Sequence, residues 1–478
     1  MKRYTLILSA LSIMLLAGCT VGPKYAKPNV PTAPVDAFKE TDGWKPAEPS
    51  DQLLRGKWWE IFGDPQLNAL ENELTVSNQD LKVANDRFVE ARAMVHFNRA
   101  AQFPTISTSP GIESVRESAN TPYLPATKTT GDFVLPFDVS YELDVWGRVR
   151  RTVSASREEA QATAGDLATV NLSLHAELAY DYLELRSADA QKKLLDDTVK
   201  TYQDALQLTI NRFEGGAAPK SDVAQAQTQL QATMVQDTDI AVQRAQFEHA
   251  IAILIGKPPA AFTLPAAPLN LAPPDISSGL PSQLLERRPD VAAAERRVAE
   301  ANDQIGIARA AYFPTITLGA SAGFEGNSIT NWLTWPSRFW AVGPSLAETL
   351  FDGGRRRATS TAARANYDAT VANYRESTLT AFQQVEDNLA ALRILSQEAQ
   401  QQKEATASAE ESLQIFTNRY IGGADPYLQV LTAQTIALQN ERNDVDILRR
   451  RMDASVLLVK ALGGGWTVSE LPRTAELR

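Results

Sequence analysis

Few residues in this chain of 478 have the type and spacing to make or break bonds. There is one cysteine, Cys19, so no disulfide can form within the chain. The three histidines, His96, His175 and His249, are far apart in sequence and form no ligand motif; each reads as a helix-surface or packing residue. No nucleophile motif, metal spacing or phosphate loop is present. The glycine run at 463–465 follows a helical pattern and reads as its C-terminal stop. Two kinds of chemistry remain. One is a lone thiol near the N terminus. The other is a set of polar side chains at two glycine turns: Arg212, Glu214, Lys220 and Asp222 around Gly215 and Gly216, and Arg419, Tyr420 and Asp425 around Gly422 and Gly423. Such residues can form charge rings or pairs between helices, not a catalytic centre.

The thiol follows a secretory pattern. Lys2 and Arg3 precede an apolar run over residues 6–16, and LAGC closes it at 16–19. The run is too short to span a bilayer. LAGC followed by Thr20 resembles the bacterial lipoprotein box, which implies cleavage before Cys19 and lipid on its thiol and amine. In the lipoproteins it resembles, a residue other than Asp after the cysteine is compatible with outer-membrane sorting. Acyl chains hold a protein to a bilayer with about 0.8 kcal/mol per buried CH₂. Residues 1–18 are thus read as signal peptide. Residues 19–63, rich in proline up to Pro49, are read as a lipidated extended tether.

The two turns belong to a duplicated unit. Residues 211–228 read NRFEGGAAPKSDVAQAQT, and 207 residues later 418–435 read NRYIGGADPYLQVLTAQT. Each closes a long helical pattern on Gly-Gly, and Pro219 and Pro426 suit the first turn of the next helix. Composition favours long helices, and the net charge of −10 gives no reason to expect nucleic-acid binding. Asp64 and Pro65 read as the N-cap and first turn of a helix running to about Ala101; its counterpart runs from Pro289 to Tyr312. The same phrase stops both, AAQFPTI at 100–106 and AAYFPTI at 310–316. Residues 64–256 form the first repeat, 257–281 a connector, 282–463 the second repeat and 464–478 a tail.

Between the helices the period changes to two. Phe133, Leu135, Phe137, Val139, Tyr141, Leu143 and Val145 alternate with polar residues that include Asp138, Ser140, Glu142 and Asp144. Trp340, Val342, Pro344, Leu346 and Leu350 repeat that phase, with Glu348 interrupting it. Weaker strand patterns precede each, near 105–115 and 315–324. Their lengths suit tilted strands crossing a bilayer, although a soluble hairpin alternates identically. The secretory signal favours the membrane. The helix expected over about 150–213 is roughly 96 Å long at 1.5 Å per residue, so it stands away from the bilayer.

Four strands per chain cannot span a membrane, because their edge N–H and C=O groups would face hydrocarbon. The sheet must close by cyclic oligomerisation, with polar positions toward a pore and apolar ones toward lipid. The expected fold is mainly α with a small transmembrane β part.

These residues resemble the outer-membrane efflux protein family, the TolC-like channels, and its lipoprotein branch. The resemblance is carried by LAGC, by WWEIFGDPQLNAL at 58–70, by LPSQLLERRPDVAAAERRVAEANDQIGIARAAYFPTITL at 280–318, by FDGGRRR at 351–357, and by the paired hairpins. It implies a homotrimer with a twelve-stranded barrel and a long α-helical barrel across the periplasm. It implies the passive exit duct of a tripartite efflux pump, with a periplasmic adaptor at the helical tips and an inner-membrane transporter, of RND type, supplying energy. No enzyme activity and no cofactor beyond the lipid on Cys19 are expected. A type I secretion duct for polypeptides has the same architecture, and a pore-less lipid-anchored coiled-coil scaffold is the alternative from another class.

Within that resemblance the tip residues Arg212, Glu214, Lys220, Asp222, Arg419, Tyr420 and Asp425 are gate candidates, since charge rings and constrictions close pores. Related channels often place an acidic residue one or two turns into the second return helix. Gln429 and Thr432 stand there instead, which suggests weaker cation binding at the closed end. Gly215, Gly216, Ala217, Gly422, Gly423 and Ala424 leave small tips suited to an adaptor hairpin.

Overall fold

The computed structural model describes residues 20–29, 39, 56–116, 118, 129–274, 276 and 286–477. Cys19 and most of the proposed tether lie outside the described residues. So do parts of the connector at 275 and 277–281, and residues 282–285 at the start of the second repeat.

The chain opens its helical body at Asp64, whose carboxylate accepts from the Gln66 and Leu67 amides at 2.8 and 3.1 Å. This N-cap starts α1 (Pro65–Ser77), which buries Leu67, Leu70 and Leu74. The single helix expected to run to Ala101 is instead broken at Asn78. Its extended backbone ends α1, and its side chain caps α2 (Gln79–Ala100) by accepting from Leu81 N at 2.9 Å. The Asn78 amide also donates to Leu254 O at 2.8 Å, so the break is tied to the end of the return helix.

Two helices of equal length dominate: α3 (Arg148–Glu214) and α6 (Arg355–Ile421), 67 residues each. Their return arms are also equal, α4 (Lys220–Leu254) and α7 (Tyr427–Ala461), at 35 residues. The counterpart of α2 is α5 (Pro289–Ala310). Helix α3 packs on α2, α4, α5 and α7, and α5 is sandwiched between α3 and α6. Pro219 and Pro426 are not first-turn residues. They hold the N-cap positions with extended backbones, and their carbonyls accept from Asp222 N and Gln429 N.

Among the described residues, five strand segments form one antiparallel sheet: β1 (Thr105–Ser107), β2 (Gly111–Arg116), β3 (Thr129–Glu142), β4 (Thr315–Gly326) and β5 (Arg338–Ala347). Segments β1 and β2 pair with β3 in one continuous register, Ser107 opposite Asp138 and Gly111 opposite Val134. Pro110 interrupts them, and proline cannot donate to the ladder. They are one strand in two pieces, so the sheet has four ladder positions in the order β1/β2, β3, β4, β5. β3 ends at Glu142, leaving Leu143 and Val145 outside it, and β5 ends at Ala347. Glu348 and Leu350 therefore lie beyond the ladder, which removes the charge that seemed to interrupt the apolar face.

The main core sits midway along the helices. It gathers Leu178, Tyr182 and Leu185 of α3, Val385 and Leu389 of α6, and Val456 and Val459 of α7. Trp58, Trp59 and Phe62 complete it. Their segment, assigned to the tether from sequence, belongs to this core. Residues 20–29 are not free-standing either. Val21 N donates to Trp146 O at 3.1 Å, Pro23 O accepts from Arg151 at 3.0 Å, and the Tyr25 hydroxyl donates to Glu295. The strap thus runs from the strand–helix junction along α3 and α5.

Candidate functional site

The two tips have the same backbone. In the first, Gly215 N donates to Asn211 O, Gly216 N to Phe213 O and Ala217 N to Arg212 O. In the second, Gly422, Gly423 and Ala424 repeat the pattern onto Asn418, Tyr420 and Arg419. Gly216 and Gly423 have φ of 71° and 76°, the left-handed region where a Cβ is costly. All six small tip residues are exposed.

The side chains differ between the copies. Tyr420 and Tyr427 replace Phe213 and Lys220, and both tyrosines are buried, edge to face at 5.3 Å. With Ala226 and Val430 they make a small apolar cluster that joins the two hairpins. Burial pushes the Tyr427 phenol up to about 12, so it stays neutral. Arg212 reaches across from the first hairpin. Its guanidinium donates to Ile421 O at 2.9 Å and lies 4.7 Å from the centre of the Tyr420 ring. Arg419 donates two hydrogen bonds to Asp425, at 2.6 and 3.1 Å, and that pairing stabilises its charged form.

The structure therefore brings together Arg212 with Tyr420, and Arg419 with Asp425. It does not add Glu214 or Lys220, which are exposed, to either group. Asp222 is half-buried beside the tyrosine cluster, where its charge contributes to the raised Tyr427 pKa. Gln429 and Thr432 are exposed on α7, and the Thr432 hydroxyl donates to Leu428 O of its own helix. Sequence reasoning missed the Arg212 bridge. The signal was the departure between copies, aromatic at 420 and 427 where the first hairpin has Phe213 and Lys220.

Of the histidines, His175 is buried against Glu71, Nδ1 to Oε2 at 2.5 Å, and stacks on Trp59 at 4.3 Å. Desolvation raises Glu71 to about 9 and lowers His175 to about 4, so both are neutral over most of the pH range. No group of three or more metal-ligating side chains occurs among the described residues.

The sheet has two unlike faces. Cross-strand neighbours put Ile106, Val139, Ala320 and Val342 in one row, and Phe137, Ala322 and Trp340 in another. The opposite face carries Ser107, Asp138, Ser321 and Ala341, then Thr105, Ser140, Gly319 and Gly343. The first face is apolar and the second small and polar, as a lipid-facing and a lumen-facing surface must be. No helix among the described residues is long and apolar enough to cross a membrane. Among the described residues, neither outer edge of the sheet, β1/β2 or β5, has a further neighbouring strand.

An amphipathic sheet with open edges, standing on helical arms that end in paired turns, defines one protomer of an outer-membrane channel. Residues 70–257 and 280–464 match the family model described as outer membrane efflux protein. The chain belongs to that family. It is 33% identical, over the whole of both chains, to the probable efflux pump outer membrane protein SepC of Pseudomonas putida. It is 30% identical to outer membrane protein OprJ of Pseudomonas aeruginosa, covering 98% of this chain and 97% of that one. Among solved structures, the outer-membrane channel OprN superposes with a TM-score of 0.88 at 28% identity, over 94% of this chain and 100% of that one. The open state of the Neisseria gonorrhoeae MtrE channel gives 0.83 at 26% identity, over 94% of this chain and 99% of that one. The protein is thus an efflux channel of the outer membrane with a long periplasmic helical part.

Proposed function

We propose that three copies form the passive exit duct of a tripartite efflux pump for small molecules, closed at rest by contacts between their hairpin tips. The single observation behind the gate is the Arg212 bridge to Ile421 O and the Tyr420 ring, which ties the first hairpin to the second. Opening a ring of hairpins requires one hairpin to move against the other, and this bridge opposes that movement. The duct makes no bonds. Its energy comes from an inner-membrane transporter, of RND type, coupled through an adaptor that docks on the exposed tips at Gly215, Gly216, Ala217, Gly422, Gly423 and Ala424. Efflux names among the relatives favour small molecules over polypeptides as cargo.

Lipid on Cys19 completes the reading. Its support is the LAGC sequence and the position of Thr20, which lies against Gly147 just past the strand–helix junction. The decisive experiment reconstitutes the purified mature protein in planar bilayers and complements an efflux-deficient strain. Absence of both ion conductance and restored export would refute the duct. Mass spectrometry of the mature N terminus tests the lipid, and an unmodified Cys19 thiol would remove it.

A further inference from the structure

The described strands sort their charges by face. Directly opposed residues share a face, so the register assigns each charge to one side of the sheet. All five acidic strand residues lie on the polar side: Glu113 opposite Asp132, Glu325 opposite Val134, Asp138 opposite Ser321 and Glu142 opposite Thr317. Both basic strand residues lie on the apolar side. Arg116 stands opposite Thr129, in the phase of Ile112 and Phe133, and Arg338 stands opposite Phe324, which itself faces Leu135. A cation on a lipid-facing surface is costly at the bilayer midplane and tolerated near the interface. Strand β5 has ten residues, the length of one tilted crossing, and Arg338 is its first, at the end away from the helices. With the helices in the periplasm, that end is the outer one.

The connection between β4 and β5 folds over this rim on the apolar side. Trp332 packs on Phe133, with 5.7 Å between ring centres, and a Cβ on Gly326, which faces Phe133, would meet Asn331 and Trp332. The loop bonds its own polar groups around Asn331. The Asn331 amide donates to Asn327 Oδ1 at 2.9 Å, its Oδ1 accepts from Ser328 N at 3.2 Å, and its carbonyl accepts from the Thr334 and Ser337 hydroxyls at 2.7 and 2.6 Å. Internal bonding of this kind suits a segment that lies against lipid. Ile329, Leu333 and Trp335 nevertheless remain 70%, 62% and 74% exposed. The Arg338 guanidinium donates to Trp335 O at 2.8 Å and lies 4.0 Å from the centre of the Trp335 ring. Those contacts occupy one of its five N–H donors and leave the rest for a ligand.

We propose that a phosphorylated lipid of the outer leaflet seats on this rim, its phosphate against Arg338 and its acyl chains along Ile329, Leu333 and Trp335. Two chemistries in one place identify the partner. A planar guanidinium held on an aromatic ring presents paired donors to a phosphate. The apolar side chains beside it continue into the lipid-facing row of Ala322 and Trp340. A soluble anion would use the first feature and leave the second bare, and an apolar protein surface would do the reverse. The site requires the sheet's apolar face to lie in the membrane; it is independent of the tips and of the exported molecule.

Native mass spectrometry of the detergent-solubilised protein tests the site, with diphosphoryl lipid A and fully dephosphorylated lipid A as probes. The parent should hold the diphosphoryl form roughly tenfold more tightly than the dephosphorylated one. Arg338→Gln should lose most of that preference and Arg338→Lys should keep part of it. Ile329→Ser with Leu333→Ser should weaken both forms alike. No preference in the parent, or an equal preference in Arg338→Gln, would overturn the site while the channel reading stands. A photocrosslinking residue in place of Leu333, activated in intact cells, separates the possible occupants. Lipid adducts support the site; adducts to protein alone, whether another copy or a different chain, or no adduct at all, overturn it. A parent that neither inserts nor conducts in planar bilayers would remove the membrane reading, and this site with it.

Discussion

The guanidinium of Arg212, in the first hairpin, sits over the Tyr420 ring of the second while donating to the backbone oxygen next to that tyrosine, Ile421 O. One side chain thereby holds two helical arms whose sequences lie more than two hundred residues apart.

Replacing Arg212 with alanine should loosen that closure. A cation over an aromatic ring contributes about 0.5–1 kcal/mol when exposed, and a charge-assisted hydrogen bond about 1.5–3 kcal/mol. Resting conductance in planar bilayers should rise several-fold. Arg212→Lys, which keeps the charge but not the planar fork, should fall between the two. Unchanged conductance in both variants would place the closure elsewhere.

The Arg419–Asp425 pair is exposed on its arginine side and therefore screened by salt. Asp425→Asn should raise resting conductance at low ionic strength and have less effect at about 1 M salt, where the Debye length is about 3 Å. The exchange Arg419→Asp with Asp425→Arg should restore the parent value. Single-channel recordings across a salt series check both.

Gly216 and Gly423 separate turn geometry from docking. Asparagine accepts the left-handed backbone, so Gly216→Asn with Gly423→Asn preserves the turns while adding bulk at the tips. If an adaptor docks there, trimers and conductance should persist while export drops severalfold in a complementation assay. Valine at both positions should also strain the turns, by about 1–2 kcal/mol each.

The buried Glu71–His175 pair predicts a pH dependence of stability. Glu71 titrates near 9 in the folded chain, above the usual carboxylate value. Its contribution is complete at low pH and is lost as pH rises through about 9. His175 titrates near 4, below its usual value, so its contribution grows with pH between about 4 and 6.5. The two oppose each other at mildly acidic pH. Above about 6.5 only Glu71 remains, and the thermal midpoint should fall toward pH 9 with a slope of up to about one proton. Glu71→Gln, which can still donate to the imidazole, should flatten that slope. Calorimetry of the detergent-solubilised protein measures it.

Much of the architecture was legible in the sequence because it is written twice. The 207-residue repeat, the proline stops and the period-two stretches set the order of helices and strands, and Asp64 capped where its type and position said it should. What remained hidden depends on contacts between distant segments. Asn78 breaks a helix that periodicity runs straight through, because its amide finds Leu254 O 176 residues away. Trp58 and Trp59 follow a proline-rich stretch and look like tether, yet α3 supplies a core for them. At the tips, charge type singled out a set that held Arg212, Arg419 and Asp425 but did not say which of them would pair. The burial of Tyr420 depends on Ala226 and Arg212 of the other repeat as well as on Tyr427 and Val430, which no local pattern reports.

The equal arms have an evolutionary corollary. Helices α3 and α6 both span 67 residues and their returns both span 35, so all the turns finish at one level. A residue inserted into a single arm would rotate everything beyond it by about 100° and lift one turn out of the common plane. Changes in the reach of this protein must therefore arrive in matched sets, whole turns at a time and in every arm at once. The molecule behaves as a ruler whose graduations can be altered only by rewriting both copies together.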